Sequence, residues 1–382
     1  MSDKTLEKTN SKKSMENHSK VLDRAGSVRT GEELDTTSFR QWLREHYADP
    51  EQHSWVSPDM LQDEPVVTQY SGGASNWTYC LSYPGKELIL RRAPAGTKAK
   101  GAHDMGREFK LQQALKPVYP YVPQMLAFCE DETVIGAEFY LMEKLTGVIP
   151  RKNLPKDIEV DPISINQMCK SVLDCLIELH SVDYQSAGLE HIGKGAGYVE
   201  RQIEGWIGRY EKAKTWNVTS GKSVIQWLRQ NMPTKERICI IHNDFRFDNA
   251  VLDPEDISHV LGILDWEMAT LGDPMMDLGN TLAYWVEPKD DFLAQMMRRQ
   301  PTHLTGMLTR DEVIDYYCQK MGFEKSDFTF YEAYGLFRLA VIVQQIYYRY
   351  HHKQTRNPAY KRFWIFVNYL IWRAWKVTRQ QG

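Results

Sequence analysis

The sequence predicts an α+β fold in two lobes, a small β-rich N-terminal lobe and a large, mainly helical C-terminal lobe. Three observations carry this expectation. At 382 residues the chain is longer than one hydrophobic core usually spans. Between about 64 and 145 the apolar runs are short and punctuated by turn residues, whereas from about 160 onward apolar residues recur at spacings of three and four. The expected divisions are an arm over 1–35, an N-terminal lobe over 36–145 and a C-terminal lobe over 146–382.

Residues 1–35 mix Lys, Glu, Ser, Asn and Thr with few apolar side chains, too few to offset the entropy of ordering, so a disordered or loosely attached arm is expected. "TSFRQWLREHY", from Thr37, has Phe39, Leu43 and Tyr47 on one helical face behind a Thr cap. "PVVTQYSGGASNWTYCLSY", "PGKE" and "ELILRRAP" then read as strand, turn and strand, followed by a helix at "DMGREFKLQQALK" and a strand at "AEFYLMEKL". Beyond 160, "SINQMCKSVLDCLIELHSV", "GYVERQIEGWIGRYEKA" and "SVIQWLRQNM" read as amphipathic helices. The only later strand signals, "RICIIH", "NAVLD" and "HVLGILDW", form an island of β structure among helices, a place to hold a rigid loop.

Composition narrows the function classes. The net charge of −3 offers no electrostatic case for nucleic acid or an anionic membrane. No stretch reaches the roughly 20 apolar residues of a membrane span; "LFRLAVIVQQIYY" is interrupted by Arg338 and two glutamines and reads as a buried helix. The six cysteines lack CxxC pairs or zinc-like spacing and read as reduced core residues of a cytoplasmic protein. The polar N-terminus lacks a secretory core. Oligomeric state is not legible.

The chemistry concentrates in "IIHNDFRFDNAVLD", which places His242, Asp244, Asp248 and Asn249 directly after an apolar run. Phosphoryl transfer from a nucleotide needs a carboxylate to orient and deprotonate the attacking hydroxyl, together with oxygen ligands for Mg²⁺. An Asp two residues after His and an Asn five after that Asp fit the catalytic-loop pattern of kinases, making Asp244 the base and Asn249 a metal ligand. Asp265 ends the apolar run "VLGILDW" sixteen residues later and supplies a second metal ligand. His242 reads as loop support and Asp248 as a solvated or turn residue.

With "GILDWEMATLGDPMMDLGN", this stretch resembles the aminoglycoside phosphotransferase and choline kinase branch of the protein-kinase-like fold. More narrowly, it is similar to bacterial phosphotransferases of that family and to the kinase-like domains fused to certain acyl-CoA dehydrogenases. The resemblance runs from about Tyr70 to Tyr350. It implies a bilobal protein-kinase-like fold, ATP or GTP with Mg²⁺ as cofactors, and Asp277 as the anchor of the catalytic loop. One departure is Asn243, which stands where the family usually has glycine; Asn tolerates left-handed backbone better than most residues.

The resemblance also makes "SGGASN" the nucleotide loop, with Gly72 and Gly73 letting backbone amides approach phosphates and Ser75 and Asn76 beside them. Kinase-like folds require a cation on the third strand paired with a carboxylate on the next helix. "ELILRRAP" offers no lysine there; strand alternation puts Arg91 with Ile89 on one face and Arg92 with Leu90 on the other, so only one arginine can enter the cleft, and the resemblance assigns Arg91 to the phosphates and Glu108 to its pairing. Met142, Glu143 and Leu145 resemble the hinge whose backbone meets adenine.

For the acceptor, Tyr198, Arg201, Arg246, Trp266 and Arg338 suggest a cation-lined aromatic site suited to a carboxylate, phosphate or coenzyme A moiety. "GYVERQIEGW" and "FRLAVIVQQIYYRY" resemble segments of the acyl-CoA-dehydrogenase-associated branch, and with these basic residues the resemblance implies transfer of phosphate to a hydroxyl of a small molecule, a hydroxyacyl-CoA or other anionic metabolite. Two alternatives stand beside it: an aminoglycoside kinase, and a catalytically inactive nucleotide-binding scaffold. A protein kinase fits less well, because only a dozen residues separate Asp265 from Asp277, with no A-P-E-like motif between.

Overall fold

In the computed structural model, which describes residues 22–23, 25–49, 51–70, 76–94 and 104–379, the carboxylate of Asp35 caps the first helix, α1 (Thr36–Tyr47), by accepting the Ser38 amide. The cap expected at Thr37 thus lies two residues earlier. The chain divides into two compact units, one running up to Val148 together with Leu261–Glu267, the other comprising Ile149–Val260 and Met268 onward.

In the first unit α1 and the short α2 (Pro58–Gln62) precede β1 (Val66–Gln69), β2 (Trp77–Tyr83) and β3 (Lys86–Arg92). Helix α3 (Met105–Leu115), capped by Asp104, leads to β4 (Met125–Cys129) and β5 (Phe139–Glu143). The strands form one antiparallel sheet in the order β1-β2-β3-β5-β4. Its two faces bury alternate residues, as a pleated strand demands. Leu88, Leu90, Phe139 and Leu141 pack with Phe39 and Trp42 of α1. Ile89, Tyr140 and Met142 pack with Met105 of α3 on the other face.

That alternation separates the two arginines. Arg92 lies over the Trp77 ring and donates to the carbonyls of Ala93 and Ile135, while Arg91 turns toward α3. The arm expected over 1–35 is corrected over its last part. Gly26 bridges to Gln69, Gln69 donates to Glu32, and the Tyr79 hydroxyl donates to the Glu32 carbonyl. Val28 and Leu34 join the α1 core. Residues 25–35 are polar by composition yet satisfy the sheet edge with backbone groups, which composition does not register.

The second unit is built on α4 (Pro162–Ser181), α5 (Tyr198–Lys212) and α6 (Lys222–Gln230), followed by β6 (Cys239–Ile241) and β7 (Ala250–Leu252); β8 (Val260–Ile263) then runs into the first unit from Leu261, and β9 (Thr270–Gly272) belongs to the second again. Helices α7 (Pro274–Ala283), α8 (Phe292–Met297), α9 (Arg310–Met321), α10 (Thr329–His351) and α11 (Phe363–Thr378) complete it. Strand β6 pairs antiparallel with β9, a three-residue strand too short to show a sequence pattern. The "LAVIVQQIYY" run is indeed a largely buried helix, α10, and all six cysteines are buried, with no disulfide among them. Among the described residues no helix is long and apolar enough to cross a membrane.

Two glycines bring α7 and α10 together. A Cβ on Gly335 would lie 2.1 Å from the Gly279 carbonyl oxygen, and one on Gly279 would lie 2.4 Å from that of Tyr331. The backbones therefore touch where larger residues would hold them apart. This close approach matters because α7 carries Asp277 and α10 carries Arg338.

Candidate active site

In the second unit the loop after β6 hangs on a single carboxylate. Asp277 is fully buried; its Oδ2 accepts the His242 amide and its Oδ1 the Asn243 amide, both at 2.8 Å. Behind it His180 Nε2 lies 3.1 Å from Oδ2, and His180 Nδ1 lies 2.6 Å from the Tyr317 hydroxyl. Burial by itself would raise the Asp277 carboxyl, but the hydrogen bonds and charge supplied by His180 and His242 outweigh it and hold the group below its ordinary range. The carboxylate stays ionised and keeps both amides in place.

Asn243 adopts the left-handed conformation, φ 66°, that glycine would take most easily. Its side chain offsets that strain: Oδ1 accepts from the Tyr198 hydroxyl at 3.2 Å and from Asn280 at 3.4 Å, and Nδ2 donates to the Met268 carbonyl at 3.0 Å. Its carbonyl accepts from Arg338 Nη2 at 2.9 Å. Asn243 is thus tied in four directions, and the three side-chain bonds are ones glycine could not make. Asn243→Gly is expected to lower the unfolding free energy by about 1–3 kcal/mol, and Asn243→Ala by at least about 1 kcal/mol more because of its φ. Denaturant unfolding of the two variants checks this order; a glycine variant as stable as the parent would refute the tie.

Asp244 follows, its side chain 24% exposed and its amide donating to His242 Nδ1 at 3.3 Å. Asn249 donates through Nδ2 to the Asp244 carbonyl at 2.9 Å, so the loop closes on itself. Arg246 places Nη2 3.3 Å from Asp244 Oδ2 and Nε 3.2 Å from Asp248 Oδ1, with its guanidinium over the Tyr284 ring. Asp248 is therefore an ion-pair partner rather than a solvated turn residue; burial raises its carboxyl, with Arg246 opposing and Asp244 adding to the rise.

The first unit gathers a second cluster. Arg91, 9% exposed, reaches Glu108 Oε1 at 3.2 Å, Asp265 Oδ1 at 2.8 Å and Glu267 Oε2 at 3.1 Å. The Tyr140 hydroxyl donates to Glu108 Oε1 at 2.8 Å, and Asn76 Nδ2 donates to Glu267 Oε2 at 3.1 Å. Burial raises the Glu108 carboxyl, which Arg91 opposes and Asp265 and Glu267 reinforce. Like Asn243, Asp265 has a left-handed backbone, φ 70°. Strained residues of this kind concentrate at functional sites.

Asp265 belongs with this unit because the end of β8 is bonded to it. Ile263 donates its amide to the Tyr121 carbonyl, and a Cβ on Gly262 would lie 2.3 Å from Leu145 Cδ1. Placing all of 146–382 in one lobe is corrected accordingly. Local pattern marks β8 as a strand but not which unit accepts its amides.

Other sequence candidates are placed as follows. Gly72, Gly73 and Ser75 lie outside the described residues, whereas Asn76 is buried on Glu267. Met142 packs in the α3-side core; Glu143 turns its carboxylate to the Gln124 amide; Leu145 faces Gly262. The acceptor expectation is corrected for four of five residues. Tyr198 and Arg338 are buried and spent on Asn243. Trp266 is fully buried, its indole N–H on the Ile263 carbonyl and its ring edge-on to Tyr119. Arg201 donates to the carbonyls of Gly195 and Ala196. Only Arg246 borders Asp244. Glu267, His180 and Tyr317 escaped sequence reasoning; an acidic residue two positions after Asp265 was the one available signal, and the other two carry none.

Comparison with known proteins agrees with this geometry. The sequence model of the phosphotransferase enzyme family matches residues 66–312. Acyl-CoA dehydrogenase family member 10 of Mus musculus is 34% identical over 318 residues, 83% of this chain and 29% of that protein. Family member 11 of Homo sapiens is 33% identical over 289 residues, 75% of this chain and 36% of that protein. The chain thus spans about a third of the length of these curated relatives. A crystal structure of a Ralstonia eutropha protein, provisionally assigned as an aminoglycoside phosphotransferase, superposes with a TM-score of 0.75 at 27% identity, covering 91% of this chain and 99% of that one. The aminoglycoside phosphotransferase APH(4)-Ia shares the fold, with a TM-score of 0.55 at 12% identity over 90% of this chain and 99% of that one. The fold is the kinase-like α+β fold, and the matched stretch contains Arg91, Asp244, Asp265 and Asp277 alike: the chain belongs to the phosphotransferase enzyme family.

Proposed function

We propose that the protein is a Mg²⁺- and ATP-dependent phosphotransferase that phosphorylates a hydroxyl group of a small molecule. The observation that carries this reading is Arg91, a buried guanidinium held by Glu108 on one side and by Asp265 on the other. A permanently charged fork on the third strand suits the α- and β-phosphates, with GTP as the alternative nucleotide. Three carboxylates surround that one cation, and the surplus of hard, anionic oxygen is what magnesium would offset. Asp265 and Asn249 would hold the ion, Glu267 standing beside Asp265. When bound, Mg²⁺ supplies charge neutralisation for the phosphate oxygens.

In this reading Asp244 orients the acceptor hydroxyl and receives its proton, while Asp277 and Asn243 keep the loop from moving as it does so. Gly72, Gly73 and Ser75 would place amides and a hydroxyl on the phosphates. The hinge from Met142 through Glu143 to Leu145 would meet adenine with its backbone. For the acceptor we favour a hydroxyacyl-CoA or another anionic metabolite. Support comes from the relatives named for acyl-CoA dehydrogenases and from Arg246 at the edge of Asp244. The aminoglycoside reading draws on a related fold: APH(4)-Ia has been crystallised as a ternary complex with AMP-PNP and hygromycin B, at 13% identity to this chain. An inactive scaffold is the weaker reading, because Asp244, Asn249 and Asp265 are all present.

Thermal unfolding with and without nucleotide tests the proposal. ATP at about a hundred times its Kd is expected to stabilise the protein by about 2.7 kcal/mol, and only with Mg²⁺ present. No Mg²⁺-dependent shift with ATP or GTP would remove the reading. A turnover panel of hydroxyacyl-CoAs, choline-like amines and aminoglycosides then chooses the acceptor.

A further inference from the structure

Beside Asp244 the second unit opens into a cavity of about 220 Å³ walled by α7, α8, α10 and α11. It is lined by Arg246 and Tyr284, which pack on each other, and by apolar side chains that include Met297, Ile342, Ile346, Phe363, Phe366 and Leu370. Its remaining polar lining is Arg299 and Arg373, and among the described residues no carboxylate lines it. Arg246 is paired with Asp244 and Asp248, and Arg373 lies in the field of Asp290 and Glu332, so the strongest character of the space is apolar. At roughly 30 Å³ for each water-sized unit, it holds a chain of about six to eight heavy atoms.

We infer that this cavity seats an unbranched aliphatic segment of the acceptor and that Ile346 and Phe366 set the length it accepts. The proposal rests on the phosphotransferase reading and specifies its substrate: a hydroxyl presented to Asp244, a carboxylate or thioester carbonyl near the arginines, and a methylene chain running between α10 and α11. A polycationic acceptor has nothing to bind here, since the lining carries guanidinium groups and no acid. A straight chain suits a slot between two packed helices, and its transfer from water supplies affinity in proportion to the area buried.

The two residues at issue are half-buried rather than central to the core, so both can be changed without rebuilding it. The test is calorimetric titration of the full-length protein, without nucleotide, with straight-chain carboxylates lengthened two carbons at a time. Affinity is expected to rise by about fourfold per methylene and then level off. Ile346→Trp should move the plateau to shorter chains and Phe366→Ala to longer ones. Affinity independent of chain length, or a plateau that neither variant moves, would overturn the assignment. Sedimentation showing a dimer that Ile346→Trp dissociates would overturn it too, by giving the cavity to a second copy of the chain. A shifted plateau without any ATP turnover would keep the pocket and remove the phosphotransferase reading. Turnover of short polar alcohols with no dependence on chain length would do the reverse.

Discussion

Asp244→Asn is expected to lower kcat by roughly 10²- to 10⁴-fold, the range that general-base catalysis contributes, while Mg²⁺-dependent stabilisation by ATP survives. The amide keeps the size of the carboxylate and can still orient a hydroxyl, but it cannot accept the proton. Arg246 would lose one ion-pair partner and keep Asp248, so the loop itself should hold. Single-turnover kinetics beside an ATP thermal shift separates the two quantities. Retained turnover would exclude Asp244 as the base; loss of both turnover and nucleotide binding would mean the substitution had damaged the fold.

Asp277→Ala should act through structure. It removes a fully buried carboxylate, leaves the His242 and Asn243 amides and His180 without their acceptor, and opens a cavity. Loss of one partner from a buried charged network costs about 3–5 kcal/mol, so a large drop in unfolding free energy is expected, with turnover falling alongside it. Acidity gives a second readout. Because the folded state holds this carboxyl below its ordinary range, its contribution is complete above the unfolded value of about 3.9 and is lost as the pH falls through the lowered folded value. The variant should therefore lose stability at neutral pH and show a shallower decline between about pH 4 and lower. An acid limb unchanged from the parent would mean that the Asp277 carboxyl is not held low.

The two variants probe parts that differ in how visible they are from sequence. Asp244, Asn249 and Asp265 show in the chain because the proposed chemistry needs specific residue types at short spacing from the end of a strand. The same holds for Arg91: period-two alternation in "ELILRRAP" already puts it on the opposite face from Arg92, and the sheet register agrees. Asp277 is different. Its spacing from Asp244 means little in isolation, and its partners His180 and Tyr317 arrive from α4 and α9.

The acceptor side was the least legible. Arginines and aromatics that look alike in sequence go to unlike tasks: Arg338 to a loop carbonyl, Trp266 to the core, Arg201 to a turn. Exposure distinguishes these uses, and exposure is a property of packing. The apolar residues around the cavity likewise read as ordinary helix faces, since the spacing that buries a side chain in a core also lines a hollow.

The sequence by itself determined the two-lobed α+β class, the main succession of strands and helices along the chain, the grouping of His242, Asp244 and Asn249 after a strand and the placing of Arg91 and Arg92 on opposite faces of the third strand. These follow from periodicity and from residue chemistry within about twenty positions. Only the tertiary structure decided that Glu267 joins Arg91, that Asn243 is tied in four directions, that residues 25–35 lie on the sheet edge and that β8 delivers Asp265 to the first unit. Each depends on contacts between distant segments, whose free energy comes from burial and from satisfying backbone groups, and no local pattern records which distant group will meet them.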